Sequence, residues 1–188
     1  MTAYDKIDRA IFFALNFDGG VIADTLFFYL SKNIAFMPVA LLAIYLMIRR
    51  VGVRNALVAT AFIIVGVVLA DQVCNIMKSG LAKLRPSRNP DLAGLVHTVR
   101  GYVGGMYGTF SAHAATVSVI AVASSRIAGL RWYSAAVFIW AAAVCYSRIY
   151  LGVHYLTDII YGALTGFIFA HMILYLFGRY ISHQKRGG

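Results

Sequence analysis

The chain has 188 residues, 61% of them hydrophobic and only 13% charged; this excludes an ordinary soluble domain and fits one membrane-embedded domain spanning 1–188. The net charge of +10 sits in short clusters between apolar runs rather than along one polar face. That argues against nucleic acid as a partner and for membrane topology together with an anionic substrate.

In chain order, residues 4–15 alternate charged positions with Ile7, Ala10, Ile11, Phe12 and Leu15. The pattern predicts a short amphipathic helix lying in the membrane interface, within an interfacial segment 1–20, and too short to span. Asp18-Gly19-Gly20 breaks it, and the mixed charge before it does not read as a cleavable signal. Residues 21–48 are apolar apart from Asp24, Thr25, Ser31, Lys32 and Asn33. They predict one spanning helix that starts somewhere in 23–33, bends near Asn33 and accommodates Pro38; Arg49, Arg50 and Arg54 follow.

A second span is expected over 55–77. Asp71, Asn75 and Lys78 fall on one of its faces, and an acid at that depth points to function, here as a support for the chemistry rather than a participant. Residues 79–110 form the one long polar stretch, with two prolines and a glycine-rich run from Gly101 to Gly108. Such a loop is expected to be ordered over one membrane face and functional. Within it Lys83, Arg88 and Arg100 read as solvated residues or as contacts to an anionic head group, and His97 as a surface residue. Ser111 opens a short helix over 112–125 that is rich in small residues, which permit close packing in lipid. Arg126 and Arg131 come next, then spans over 132–150 and 154–178. Gly162 and Gly166 read as a packing groove, His171 as structural, and Cys74 and Cys145 as small core residues. With five spans, the clusters Arg49–Arg54, Arg126–Arg131 and Arg179–Arg186 share one side, which is the cytoplasmic one. The expected architecture is therefore all-α: a polytopic bundle of about five spanning helices plus the interfacial helix.

Three polar stretches fall on the opposite side. Ser147-Arg148 is followed by His154 and Asp158, which at four residues' spacing share a helix face, so the carboxylate can hold one imidazole nitrogen and leave the other free. Arg148 can bring a bidentate positive charge to the same point. Alone, these residues fit a structural ion-pair network equally well. Lys78 with Arg85-Pro86, and Phe110-Ser111-Ala112-His113, change that balance.

In this order the stretches resemble the three-part signature of the type-2 phosphatidic acid phosphatase family, integral-membrane lipid phosphatases whose site is related to that of vanadium haloperoxidases. The first and third parts are matched at every defined position. In the second, Phe110 and Ala112 replace the family's Pro and Gly. The resemblance implies that His154 attacks phosphorus and forms a phosphohistidine, that Asp158 fixes its tautomer, and that His113 protonates the leaving oxygen and then activates water. Lys78, Arg85, Arg148, Ser111 and the backbone N–H of Ala112 would bind the phosphate, with Asp71 in support. It implies no metal and no cofactor, since cationic side chains neutralise the phosphate. The expected partners are the bilayer and a lipid phosphate, in a multi-pass protein of the bacterial plasma membrane with its site on the extracytoplasmic side. Undecaprenyl diphosphate is the first substrate expected. Phosphatidylglycerophosphate, phosphatidate and lipid A phosphates are the alternatives. A non-catalytic transporter or scaffold would not require both histidines and Asp158 together, and a haloperoxidase would not require the spans.

Overall fold

A computed structural model describes residues 3–186, so residues 1 and 2 of the expected interfacial segment, and the last two of the chain, lie outside it. The described residues form seven α-helices: α1 (Ala3–Leu15), α2 (Gly20–Leu30), α3 (Met37–Val51), α4 (Val53–Leu81), α5 (Ala112–Ala128), α6 (Arg131–Tyr150) and α7 (Leu156–Arg186). A 3-10 turn, Asn33–Phe36, leads into α3, and two more, Pro86–Arg88 and Pro90–Leu92, punctuate the long loop.

The bundle is built around α5. Its Ala114, Ala115, Val117, Val119, Ala121 and Ala123 are all fully buried, and α3, α4, α6 and α7 all pack on it. Small side chains allow this, because they let neighbouring backbones approach closely. The approach is tightest against α7. A Cβ on Gly162 would lie 2.2 Å from the carbonyl oxygen of Ser111, and one on Gly166 would lie 2.3 Å from that of Ala115. The glycine pair is thus a packing groove within the chain, as expected.

The spans differ from expectation in two ways. The first span, expected to start somewhere in 23–33 and to bend near Asn33, is interrupted there: α2 ends at Leu30, and α3 begins only after the 3-10 turn. Instead α2 pairs with α1 across a bend of 117°. The reason is tertiary: α2 packs against α6, where Phe27 sits on Tyr146 and Tyr150. Further, three helical stretches among the described residues are long and apolar enough to cross a membrane alone, Ile34–Val51, Val53–Leu81 and Leu156–Gln184; the bent pair would make a fourth. Helix α5 is shorter than that, and its neighbours enclose it, so it needs no lipid-facing apolar length. Helix α6 begins at Arg131 and carries Arg148 in its last turn.

The basic clusters gather at one end of the bundle. Arg50 and Arg126 line a common cavity beside α7, and Gly129 lies against Arg50. The long loop, the start of α5 and the turn between α6 and α7 meet at the other end.

Candidate active site

The turn after α6 carries the centre of the site. The amides of Leu151 and Gly152 fold back onto the carbonyls of Ser147 and Ile149, and those of Val153 and His154 both reach the carbonyl of Arg148. Gly152 makes this possible: its φ is +72°, and a Cβ there would stand 2.6 Å from Val96. The result is a sharp reversal that buries Arg148 (2% exposed), His154 (2%) and Asp158 (1%) together.

Within that pocket the imidazole of His154 is held at both nitrogens. Its Nε2 lies 3.2 Å from Nη1 of Arg85. A guanidinium only donates, so Nε2 accepts, and the proton resides on Nδ1. Nδ1 donates to Oδ2 of Asp158 at 3.3 Å; the same oxygen receives the backbone N–H of Tyr155 at 3.0 Å. Burial, followed by the charges of Arg85, Arg148 and Lys78, pushes the His154 pKa well below its ordinary value. The ring is therefore neutral at physiological pH, with a lone pair on Nε2.

The long loop delivers Arg85. The pairing of Leu84 with Tyr107 closes the loop at its base, and Arg85 donates from Nε to the Tyr107 carbonyl (3.0 Å) and from Nη1 to that of Val153 (3.2 Å). The glycine-rich run fits round it: a Cβ on Gly108 would come within 3.0 Å of Arg85 Cγ and 3.2 Å of Asp158 Oδ2. Arg148 donates from Nη2 to the Tyr102 hydroxyl at 2.9 Å. Its Nε and Nη1 are buried and have no hydrogen-bond partner among the described residues, and the same holds for Oδ1 of Asp158.

Ser111 caps α5 by accepting from the Ala114 amide, and its own amide donates to the backbone carbonyl of Asp158 at 2.9 Å. Ala112 is the first residue of α5, in helical geometry. Phe110, in place of the family's Pro, stacks on Tyr161. His113 faces a different way: Nε2 donates to the carbonyl of Ser31 at 3.3 Å, and the ring lines a cavity of about 280 Å³ with Phe36, Asp71, Ala112 and Thr116. Lys78 donates to Asn75, which in turn donates to Asp71. The structure thus brings Arg85, Ser111, Arg148, His154 and Asp158 into direct contact or one bond apart. His113 and Lys78 reach the group through charge, and Asp71 lies beside His113.

Other residues at the site carried no sequence signal. Asn16 donates to the carbonyls of His97, Ile149 and Tyr150 and accepts from the His97 amide. Asp24 accepts from Tyr150 (2.6 Å) and pairs with His97 (3.0 Å). His97 is therefore a fastening for the turn after α6 and not the surface residue expected. Asp8 caps the start of α7 through the amide and hydroxyl of Thr157 and pairs with Lys83. Polar residues in apolar or amphipathic runs were the available hint, but their partners lie 73 or more positions away.

A family model described as the PAP2 superfamily matches residues 56–182. The chain belongs to that superfamily. As a PAP2 protein it is a multi-pass membrane lipid phosphatase. A lipid A 4′-phosphatase of Porphyromonas gingivalis is 32% identical over 177 residues, covering 93% of this chain and 75% of the relative. A lipid A 4′-phosphatase of Bacteroides thetaiotaomicron is 33% identical over 139 residues, covering 72% of this chain but only 61% of that relative. Two crystal structures share the fold. A transmembrane PAP2-type phosphatidylglycerolphosphate phosphatase from Bacillus subtilis has a TM-score of 0.70 at 18% identity, over 95% of this chain and 88% of the other. LpxE of Aquifex aeolicus has a TM-score of 0.67 at 24% identity, over 89% and 94%.

Proposed function

We propose that this PAP2 protein hydrolyses a phosphomonoester of a lipid A-type membrane lipid through a phosphohistidine on His154. The observation that carries the reading is Arg148, whose buried Nε and Nη1 lack partners next to an imidazole with its lone pair on Nε2. Buried cationic donors without acceptors are costly, and an anion is what offsets the cost. A phosphoryl group would accept from Arg148 and draw Arg85 off Nε2, exposing the lone pair at the moment of binding.

In the first step Nε2 of His154 bonds to phosphorus and the bond from phosphorus to the ester oxygen breaks. His113 passes a proton to that oxygen, and Asp158 stabilises the charge gained by the ring. In the second step His113 takes a proton from water as it attacks phosphorus, releasing phosphate and restoring His154. Lys78, Arg85, Arg148, Ser111 and the Ala112 amide hold the phosphoryl oxygens, the last two at a helix N-terminus. Asp71 steadies the polar lining around His113. No metal has a part, since N–H donors do the neutralising.

Undecaprenyl diphosphate, expected first from the sequence, finds no support among these relatives, whereas a lipid A phosphate, one of the alternatives, does. The whole chain forms one phosphatase domain in a bacterial plasma membrane. The site faces outward, because the basic clusters at the opposite end hold to the cytoplasm.

Turnover of the purified protein on lipid A, phosphatidylglycerophosphate, phosphatidate and undecaprenyl diphosphate, with EDTA present, tests the reading. Lipid A should give the highest kcat/KM, and His154→Ala should lower it by about a thousandfold or more. A clear preference for undecaprenyl diphosphate would overturn the substrate, and near-normal turnover by His154→Ala would overturn the nucleophile.

A further inference from the structure

Beyond the phosphate pocket, a second cluster of cations is held on aromatic rings. Lys32 Nζ lies 4.4 Å from the centre of the Phe28 ring and 5.3 Å from that of Tyr102. The Arg100 guanidinium lies 5.0 Å from the Phe28 ring and 5.4 Å from that of Tyr29, and donates to the Tyr29 hydroxyl. Neither cation forms a salt bridge among the described residues. Ring faces orient such cations without neutralising them, so they remain available to an anion.

The cluster abuts the catalytic centre on two sides. Tyr102, under Lys32, accepts from Arg148. Ser31, the residue before Lys32, offers its carbonyl to His113. Burial raises the Tyr102 pKa, yet the charges of Arg148, Arg85 and Lys32 bring it below its ordinary value, so the phenol lies in the combined field of both groups. The backbone is also unusual: Arg100 has a φ of +53°, a left-handed geometry that a non-glycine residue adopts only when its surroundings enforce it.

We infer that Lys32 and Arg100, oriented by Phe28, Tyr29 and Tyr102, form a second anion subsite that holds a phosphate of the same lipid other than the one being hydrolysed. This rests on the proposed function, and names what that substrate must carry: two phosphates set apart on one head group. The break between α2 and α3 serves this purpose, because it turns Lys32 toward the loop where a continuous helix would have kept it on a span.

A matched pair of substrates separates the possibilities: a disaccharide lipid with two phosphates, and the same lipid with only the hydrolysable one. The wild type should favour the first in kcat/KM by about tenfold or more, and 0.5 M salt should erode that ratio by screening. In the Lys32→Gln, Arg100→Gln double variant the ratio should collapse to within about twofold, while Lys32→Arg retains it. A ratio that persists in the double variant overturns the subsite, as does an equal fall on both lipids with the ratio intact. Inhibition by inorganic phosphate provides a further arm. If the double variant weakens that inhibition and the ratio persists, the cluster holds free phosphate and the lipid assignment fails. The same ratio is read in binding to His154→Ala protein. If the wild type releases phosphate from neither lipid, the proposed function falls, and the binding ratio still decides the subsite.

Discussion

The two histidines of the site live in opposite surroundings. His154 is enclosed, with an arginine on one nitrogen, a carboxylate on the other and its turn pinned by backbone bonds. His113 is half-buried beside an open cavity, with the carbonyl of Ser31 as its hydrogen-bond partner among the described residues. The difference fits the proposed chemistry. The phosphoryl group is the same in every substrate and rewards a fixed, preorganised grip. In the proposed first step the leaving oxygen is attached to a bulky lipid, and a proton donor at His113 needs room beside it. The cavity at His113 is lined by the 3-10 turn before α3 and by α4 and α5, and a second, apolar cavity of about 290 Å³ lies further along, between α3, α4 and α5. The open side thus leads toward an apolar cavity between spanning helices and the closed side toward the loop.

The largest effect that would break this comparison lies on the open side. His113→Ala should lower turnover by about 10²- to 10⁴-fold on poor leaving groups, the usual range for a lost general acid. The loss should shrink markedly on aryl phosphates with acidic leaving groups. A defect of equal size across a graded series would show that His113 does not protonate the leaving oxygen. On the closed side, Gly162→Ala should push α7 away from Ser111, since the added methyl cannot fit 2.2 Å from a backbone oxygen. The expected cost is about 1–3 kcal/mol of stability, seen as a lower Tm. An unchanged Tm would show that the two helices yield without cost.

The smallest effect concerns protons. His154 has a folded pKa well below that of the unfolded chain, so both states hold it neutral above about pH 6.5. Below that, the unfolded state gains a proton that the folded one refuses, and stability falls as the pH falls. Against a His154→Gln reference, wild-type stability should drop between pH 6.5 and 5 by up to about 1.4 kcal/mol per unit. Parallel profiles for the two proteins would mean that His154 titrates normally when folded.

What the sequence revealed, and what it hid, divides along the same line. That Arg85, Ser111, Arg148, His154 and Asp158 come together was legible because the spacings within each stretch are local and the residue types are costly in lipid. The ends of α4 and α6 and the start of α7 were legible for the same reason, within about a turn, whereas α7 runs on past the expected end to Arg186. The separation of α2 from α3 was not, since residues 21–48 read as one apolar run and only packing of α2 on α6 breaks it. Nor were Asn16, Asp24, His97 and Tyr102 legible as parts of the site, because each acts through a partner remote in sequence and no periodicity announces such a pair. Ala112 and Phe110 looked like departures from a pattern. In three dimensions one is an ordinary first residue of a helix, and the other is a ring stacked on Tyr161.

Asp158 stands in the first turn of α7, and Asp8 of the first helix caps that same turn. A chain made from its N-terminus therefore holds its first helix ready long before the last emerges. Until α7 enters, His154 has no carboxylate behind it and Ser111 has no backbone to lie against. The pocket around His154 is complete only where α7 packs against both α1 and α5.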